Sequence, residues 1–154
     1  MENKDKTDNA IAYARRLFTV RPRSERELRD RLLKKGFERD NVSEAISFLK
    51  EKKIINDLGF AKLWVESRMH TNPKGHKLLQ KELRGKGVSD SVIEKVLAEK
   101  EEDEDSVVRA IAAQKSDRLK SLPKHKARKK LFDFLARRGF DFDVIESAVK
   151  ELFD

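Results

Sequence analysis

The 154-residue chain has no cysteine, one tryptophan, one tyrosine, three prolines and six glycines. The lack of cysteine excludes disulfides, thiol nucleophiles and cysteine-ligated metals. No apolar run approaches the roughly 20 residues a membrane-spanning helix needs. The opening Met-Glu-Asn-Lys-Asp-Lys lacks the apolar core of a signal peptide, so the cytoplasm is the expected compartment. The scattered glycines form no phosphate-cradling loop, and no serine stands in a nucleophile-elbow motif. His70, His76 and His125 are not spaced four apart, and no acidic cluster adjoins them as in zinc-binding helices, which points to surface histidines. Neither enzyme, cofactor nor metal is therefore expected.

What is present is charge and periodicity. Charged residues make up 42% of the chain against 38% hydrophobic, so each helix can bury one stripe and must solvate the rest. The net charge of +8 is uneven: residues 1–56 carry +5, residues 57–105 carry −2 and residues 106–154 carry +5. A basic balance of this kind suits an anionic partner.

The periodicity is a repeat. Leu28, Leu32, Gly36 and Phe37 set a frame that returns at Leu79, Leu83, Gly87 and Val88, and again at Leu131, Leu135, Gly139 and Phe140. Leucines four apart share a helix face, and the glycine supplies the left-handed residue that ends the helix. A second amphipathic stripe follows each glycine: Val42, Ala45, Ile46 and Leu49; Ile93, Val96 and Leu97; Ile145, Ala148, Val149 and Leu152. A preceding helix completes each unit, with Ile11, Ala14, Leu17 and Phe18 in the first, Phe60, Leu63, Trp64 and Ser67 in the second, and Val107, Val108, Ile111 and Ala112 in the third. The expected fold is all-α: an elongated, curved array of three tandem three-helix repeats over residues 9–56, 57–104 and 105–154.

Local signals place the breaks. Residues 1–8 are polar and expected to fray. Arg21-Pro22 ends the first helix, and Ser24 with Glu27 forms a capping box for the second. Asn56 or Asp57 opens the fourth, Asn72-Pro73-Lys74-Gly75 separates fourth from fifth, and Ser89 caps the sixth. The acidic run Glu101–Asp105 reads as an exposed, charged first turn.

Three segments carry a family likeness: Arg23-Ser24-Glu25-Arg26-Glu27-Leu28, Phe60-Ala61-Lys62-Leu63-Trp64-Val65-Glu66-Ser67-Arg68, and Phe134-Leu135-Ala136-Arg137-Arg138-Gly139-Phe140-Asp141. With the order of the three units, they resemble the RecX family of recombination regulators over roughly residues 9–153. The resemblance implies a bacterial cytoplasmic protein without a catalytic centre. It implies binding to the RecA–DNA filament, lodged in the filament's groove, with damped ATP hydrolysis and strand exchange.

Charge and helix phase nominate the binding residues. Lys77, Lys81 and Arg84 recur at i, i+4 and i+7, flanked by Arg68, Lys74 and Lys86, with Glu82 the one acid between Arg68 and Lys86. A second patch holds Lys124, Lys126, Arg128 and Lys129. Both suit RecA side chains or the phosphates of single- or double-stranded DNA, bound without sequence reading by a monomer. Trp64 and the phenylalanines at 37, 132, 134 and 140 are assigned to the core. A different class of reading is a helix-turn-helix module acting directly on DNA, with Arg39 and Asn41 as unit one's candidate base readers. Ser89, Asp90, Asp141 and Asp143 at the matching positions would repel phosphates.

Overall fold

A computed structural model of the chain describes all 154 residues, except that the side chains of residues 101–103 are left undescribed. Nine helices and no strand make up the described residues: α1 (Glu2–Val20), α2 (Glu25–Lys35), α3 (Arg39–Glu51), α4 (Asp57–Thr71), α5 (His76–Gly85), α6 (Asp90–Ala98), α7 (Glu101–Arg118), α8 (Lys124–Arg137) and α9 (Phe142–Phe153).

The repeated frame is a repeated helix ending. Gly36, Gly87 and Gly139 have φ of 111°, 82° and 84°. At each, the glycine N–H donates to the carbonyl three residues back: Leu33 at 3.0 Å, Arg84 at 2.9 Å and Ala136 at 3.0 Å. The next N–H donates five back, to Leu32 at 3.3 Å, Leu83 at 3.1 Å and Leu135 at 3.4 Å. This double bond pattern is the Schellman motif, and it satisfies carbonyls that a bare helix end would leave unpaired. All six framing leucines are fully buried. Each contributes about 1.5–3 kcal/mol by leaving water.

The chain groups into two compact units. One comprises residues 1–63 and 83–93, the other residues 64–82 and 94–154. In the first, α1, α2 and α3 pack on one another around Ala10, Ala14, Leu17, Leu28, Leu32, Val42, Ala45, Ile46 and Leu49. In the second, α7, α8 and α9 do the same around Val108, Ala112, Leu131, Leu135, Phe140, Ile145 and Val149. Helices α4, α5 and α6 each contribute residues to both units.

Several expectations need correction. Residues 1–8 are not frayed, since α1 runs back to Glu2. Thr7 is buried and donates to Glu44 Oε2 at 2.8 Å, while Asn41 Nδ2 donates to Asn3 Oδ1 at 2.7 Å and to Thr7 Oγ1 at 3.0 Å. These polar side chains order the first turns because α3 offers them partners. On α4 the inward residues are Phe60, Ala61 and Val65, whereas Leu63 is 52% exposed and Ser67 is exposed. Apolar residues surround that helix on most sides, so periodicity alone does not select its face. Leu152 is also exposed, and Phe153 packs on the core instead. Its counterpart Leu49 is covered because the chain turns back at Lys53 (φ 58°) and buries Ile55 in the same core.

The caps follow expectation. Ser24 Oγ accepts from Glu27 N at 3.2 Å, Asn56 Oδ1 from Gly59 N at 3.2 Å, and Ser89 Oγ from Val92 N at 3.4 Å. Arg23 is buried and donates to the Leu17 carbonyl at the end of α1. Burial, reinforced by nearby Arg21 and Arg31, pulls its pKa below the usual guanidinium value.

Two glycine substitutions separate backbone strain from crowding. A Cβ at Gly36 meets nothing within 4 Å, so Gly36→Ala should cost only the left-handed backbone, about 1–2 kcal/mol. A Cβ at Gly75 would run into the backbone of Gly139 and Phe140, where Gly75 N already donates to the Arg138 carbonyl at 2.8 Å. Gly75→Ala should therefore cost more, about 3 kcal/mol. Urea unfolding of both variants tests the order; equal losses would show that the Gly75–Gly139 approach is not rigid.

Candidate partner-binding surface

The second unit holds most of the nominated cations, and its acids decide which remain available. Glu82 on α5 is a hub. It accepts from Trp64 Nε1 at 2.9 Å, pairs with Arg68 Nε at 3.3 Å and accepts a short hydrogen bond from Lys74 Nζ. The Arg68 guanidinium lies 4.6 Å from the Trp64 ring centre, within cation–π range. Burial opposes the charge on Glu82, but the hydrogen bonds from Lys74 and Trp64 and the charges of Arg68 and Lys74 outweigh it. They hold its carboxyl below the usual range. Trp64 is thus half-buried with its N–H satisfied, not a core residue, and Arg68 and Lys74 are tied inward.

Lys77 and Lys81, further along α5, are exposed and have no carboxylate partner among the described residues. Arg84, on the same helix, pairs with Asp90 at 2.8 Å. In the other patch, Lys124, Lys126 and Lys129 are exposed and likewise without a carboxylate partner among the described residues, whereas Arg128 pairs with Asp154 at 3.0 Å. The two patches are not brought together. Lys77 N donates to the Gly139 carbonyl, just beyond the C-terminal end of α8, while Lys124 and Lys126 stand at its N-terminal end. At 1.5 Å per residue that separation is roughly 20 Å.

His76 and Glu104 were missed by sequence reasoning. Glu104 is 4% exposed; its Oε2 lies 3.0 Å from His76 Nδ1, and its Oε1 accepts from His76 N at 3.3 Å. It thereby caps the start of α5. The expected exposed acidic turn is corrected at this position, and residues 101–103 of the run lie outside the described side chains. His76 is correspondingly half-buried rather than a surface histidine. Nothing in the sequence singles out one glutamate in a run of five acids. Glu82 did carry a signal, as the one acid in a basic stretch. Among the phenylalanines, Phe140 is buried, but Phe37, Phe132 and Phe134 are only half-buried.

A helix-turn-helix reading loses one of its two candidate readers in the first unit, where Arg39 stays exposed. Asn41 is buried and hydrogen-bonded to Asn3 and Thr7, so it presents nothing to a base edge. In the second unit Asp141 is spent on capping α9, accepting from Asp143 N at 3.0 Å.

Among the described residues no group of three His, Cys, Asp or Glu could hold a metal, and no helix is long and apolar enough to cross a membrane. Family models described as the first, second and third three-helix domains of RecX match residues 10–49, 56–97 and 101–149. The chain belongs to the RecX family. Its RecX relatives include the regulatory protein RecX of Chlorobium limicola, 34% identical over 95% of this chain and 91% of that one. The regulatory protein RecX of Clostridium perfringens is 36% identical over 84% of this chain, which spans 62% of that longer relative. A crystal structure of RecX from Lactobacillus salivarius matches with a TM-score of 0.91 and 25% identity, over 97% of each chain. The relatives' shared name points to a regulator rather than an enzyme.

The Glu82 hub makes a pH prediction. Because its folded pKa is depressed, its stabilising contribution is present above the ordinary glutamate value, about 4.3, and is lost as pH falls through the lower folded value. Glu82→Gln leaves Arg68 and Lys74 half-buried without their anion and should cost about 1–3 kcal/mol at pH 7. The gap from wild type should shrink in urea titrations taken progressively below pH 4. A gap independent of pH would show that shape, not charge, is what Glu82 supplies.

Proposed function

We propose that the chain is a regulator of recombination and repair that binds the RecA–DNA filament and lowers its ATP turnover and strand exchange. The reading is carried by the match of all three RecX domains, in order, along the chain. The relatives' name of regulatory protein supports it, as does the net charge of +8.

The proposed contacts are the nominated cations without a carboxylate partner among the described residues, Lys77 and Lys81 near one end of α8 and Lys124, Lys126 and Lys129 at the other. Arg68, Lys74, Arg84 and Arg128 each spend part of their charge on a neighbouring acid and so make a smaller direct contribution. Two patches roughly 20 Å apart on one compact unit suit a repeating partner: the second contact forms at the effective concentration set by the first. Inhibition then follows if the bound filament conformation is one that cannot turn over. The protein acts as a cytoplasmic monomer and meets DNA without reading its sequence.

Single-stranded-DNA-dependent RecA ATPase, titrated with this protein, tests the proposal. ATPase should fall at substoichiometric protein, and Lys77→Gln/Lys81→Gln or Lys124→Gln/Lys126→Gln/Lys129→Gln should each raise the half-inhibiting concentration at least about tenfold, as losing one arm of a bivalent contact does. Unchanged ATPase at excess wild-type protein in low salt would overturn the reading.

A further inference from the structure

The second unit contains a cationic cleft between α7 and α8 that none of the residues proposed above lines. Its centre is Phe134, half-buried on α8. Lys115 Nζ on α7 lies 4.5 Å from the ring centre, and the Arg138 guanidinium lies 4.8 Å from it. Arg118 completes a cavity of about 370 Å³ that is also walled by Pro73 and Gln114. A second cavity of about 370 Å³ adjoins it, sharing Lys115 and Phe134 and adding Lys130 and Arg137, with Asp133 as its one carboxylate.

Elsewhere in this unit arginines near a carboxylate are paired: Arg109 with Asp105 and Glu151, Arg128 with Asp154. Lys115, Arg118, Lys130, Arg137 and Arg138 have no carboxylate partner among the described residues. Five like charges along the cleft repel one another, and Asp133, the one carboxylate lining either cavity, is paired with none of them. Arg138 is also oriented. Its Nη1 donates to Asn72 Oδ1 and to the Pro73 carbonyl, both at 3.3 Å, while Nε and Nη2 make no hydrogen bond among the described residues. A guanidinium seated on a ring, with part of its fork unoccupied, is preorganised for an oxyanion.

We infer that this α7–α8 cleft binds the sugar-phosphate backbone of a single nucleic-acid strand. Two cations already lie within cation–π range of Phe134, so the ring positions charge rather than stacking a base, and binding should ignore base identity. Two cavities joined through Lys115 and Phe134 suit a polymer with evenly spaced charges better than one isolated anion. An acidic peptide is the competing occupant, and the one aromatic ring lining either cavity is already taken by cations. The inference builds on the proposed role at a DNA-bearing filament and names the surface that meets the DNA.

The test is fluorescence anisotropy of the full chain with a labelled 15-nucleotide oligo-dT across a salt series. The key variant is Lys115→Gln/Arg118→Gln, and Lys95→Gln/Lys150→Gln removes equal charge elsewhere in the unit. Each lost phosphate contact should reduce the slope of log affinity against log salt by about 0.7, so the cleft variant should lose about 1.4 in slope. That corresponds to binding about 25-fold weaker at 0.1 M salt. The control should lose less than a third of that slope change, and a mixed-sequence oligonucleotide should bind like oligo-dT. If the double variant melts at lower temperature, Arg118→Gln alone carries the test, with half the slope change. Equal effects in cleft and control variants would overturn the inference, as would a 15-residue polyglutamate that binds as tightly as the oligonucleotide. RecA ATPase is read separately: inhibition by wild type bears on the regulatory role, whereas the oligonucleotide slopes bear on the cleft alone.

Discussion

The structure depends most on how three helices are stopped. Each Schellman ending needs a residue that tolerates positive φ, and each stands four residues beyond a fully buried leucine. The hydrogen bonds at Leu32, Leu83 and Leu135 tie the turn to the residue that anchors the helix in the core. Core packing and chain reversal are therefore one constraint: moving the glycine by one position would either rotate the leucines out of the core or strand the last carbonyls. The helix after each glycine starts in a defined direction, and its apolar stripe lands on the same side as the leucines.

The second constraint is electrostatic. With so many cations in the chain, a few acids decide which are structural and which are left for a partner. Glu82 gathers Arg68, Lys74 and the indole N–H of Trp64, and Glu104 is buried against His76 and the start of α5. Glu27 does the same in the first unit. Burial disfavours its charge, but Arg21 at 2.6 Å, Lys86 at 3.7 Å and the Ser24 backbone keep its pKa below the usual carboxylate range. Cations outside these clusters, among them Lys77, Lys81, Lys115 and Lys124, keep charge to offer. Net charge cannot reveal this, because a cation beside a half-buried acid and one in solvent count alike.

The repeat, the all-helical class, the framing leucines, the capping residues and the family were legible in the sequence. Each rests on local chemistry: a 3.6-residue period, a glycine's freedom at positive φ, a serine oxygen within reach of its own helix's N–H groups. The tertiary structure decided what depends on distant neighbours. Ordering of the first turn of α1 needed Asn41 and Glu44 on α3. The inward face of α4 was ambiguous because its apolar residues do not fall on one side. Glu104 is set apart by His76, a partner 28 positions away that no local pattern predicts. The Phe134 cleft joins residues from α7, α8 and the segment before α5, up to 65 positions apart in the sequence. Backbone turns and stripes are settled within a few residues; which cation meets which acid or ring is settled only when helices pack. The sequence alone determined the fold, and packing decided which of its charges stayed free.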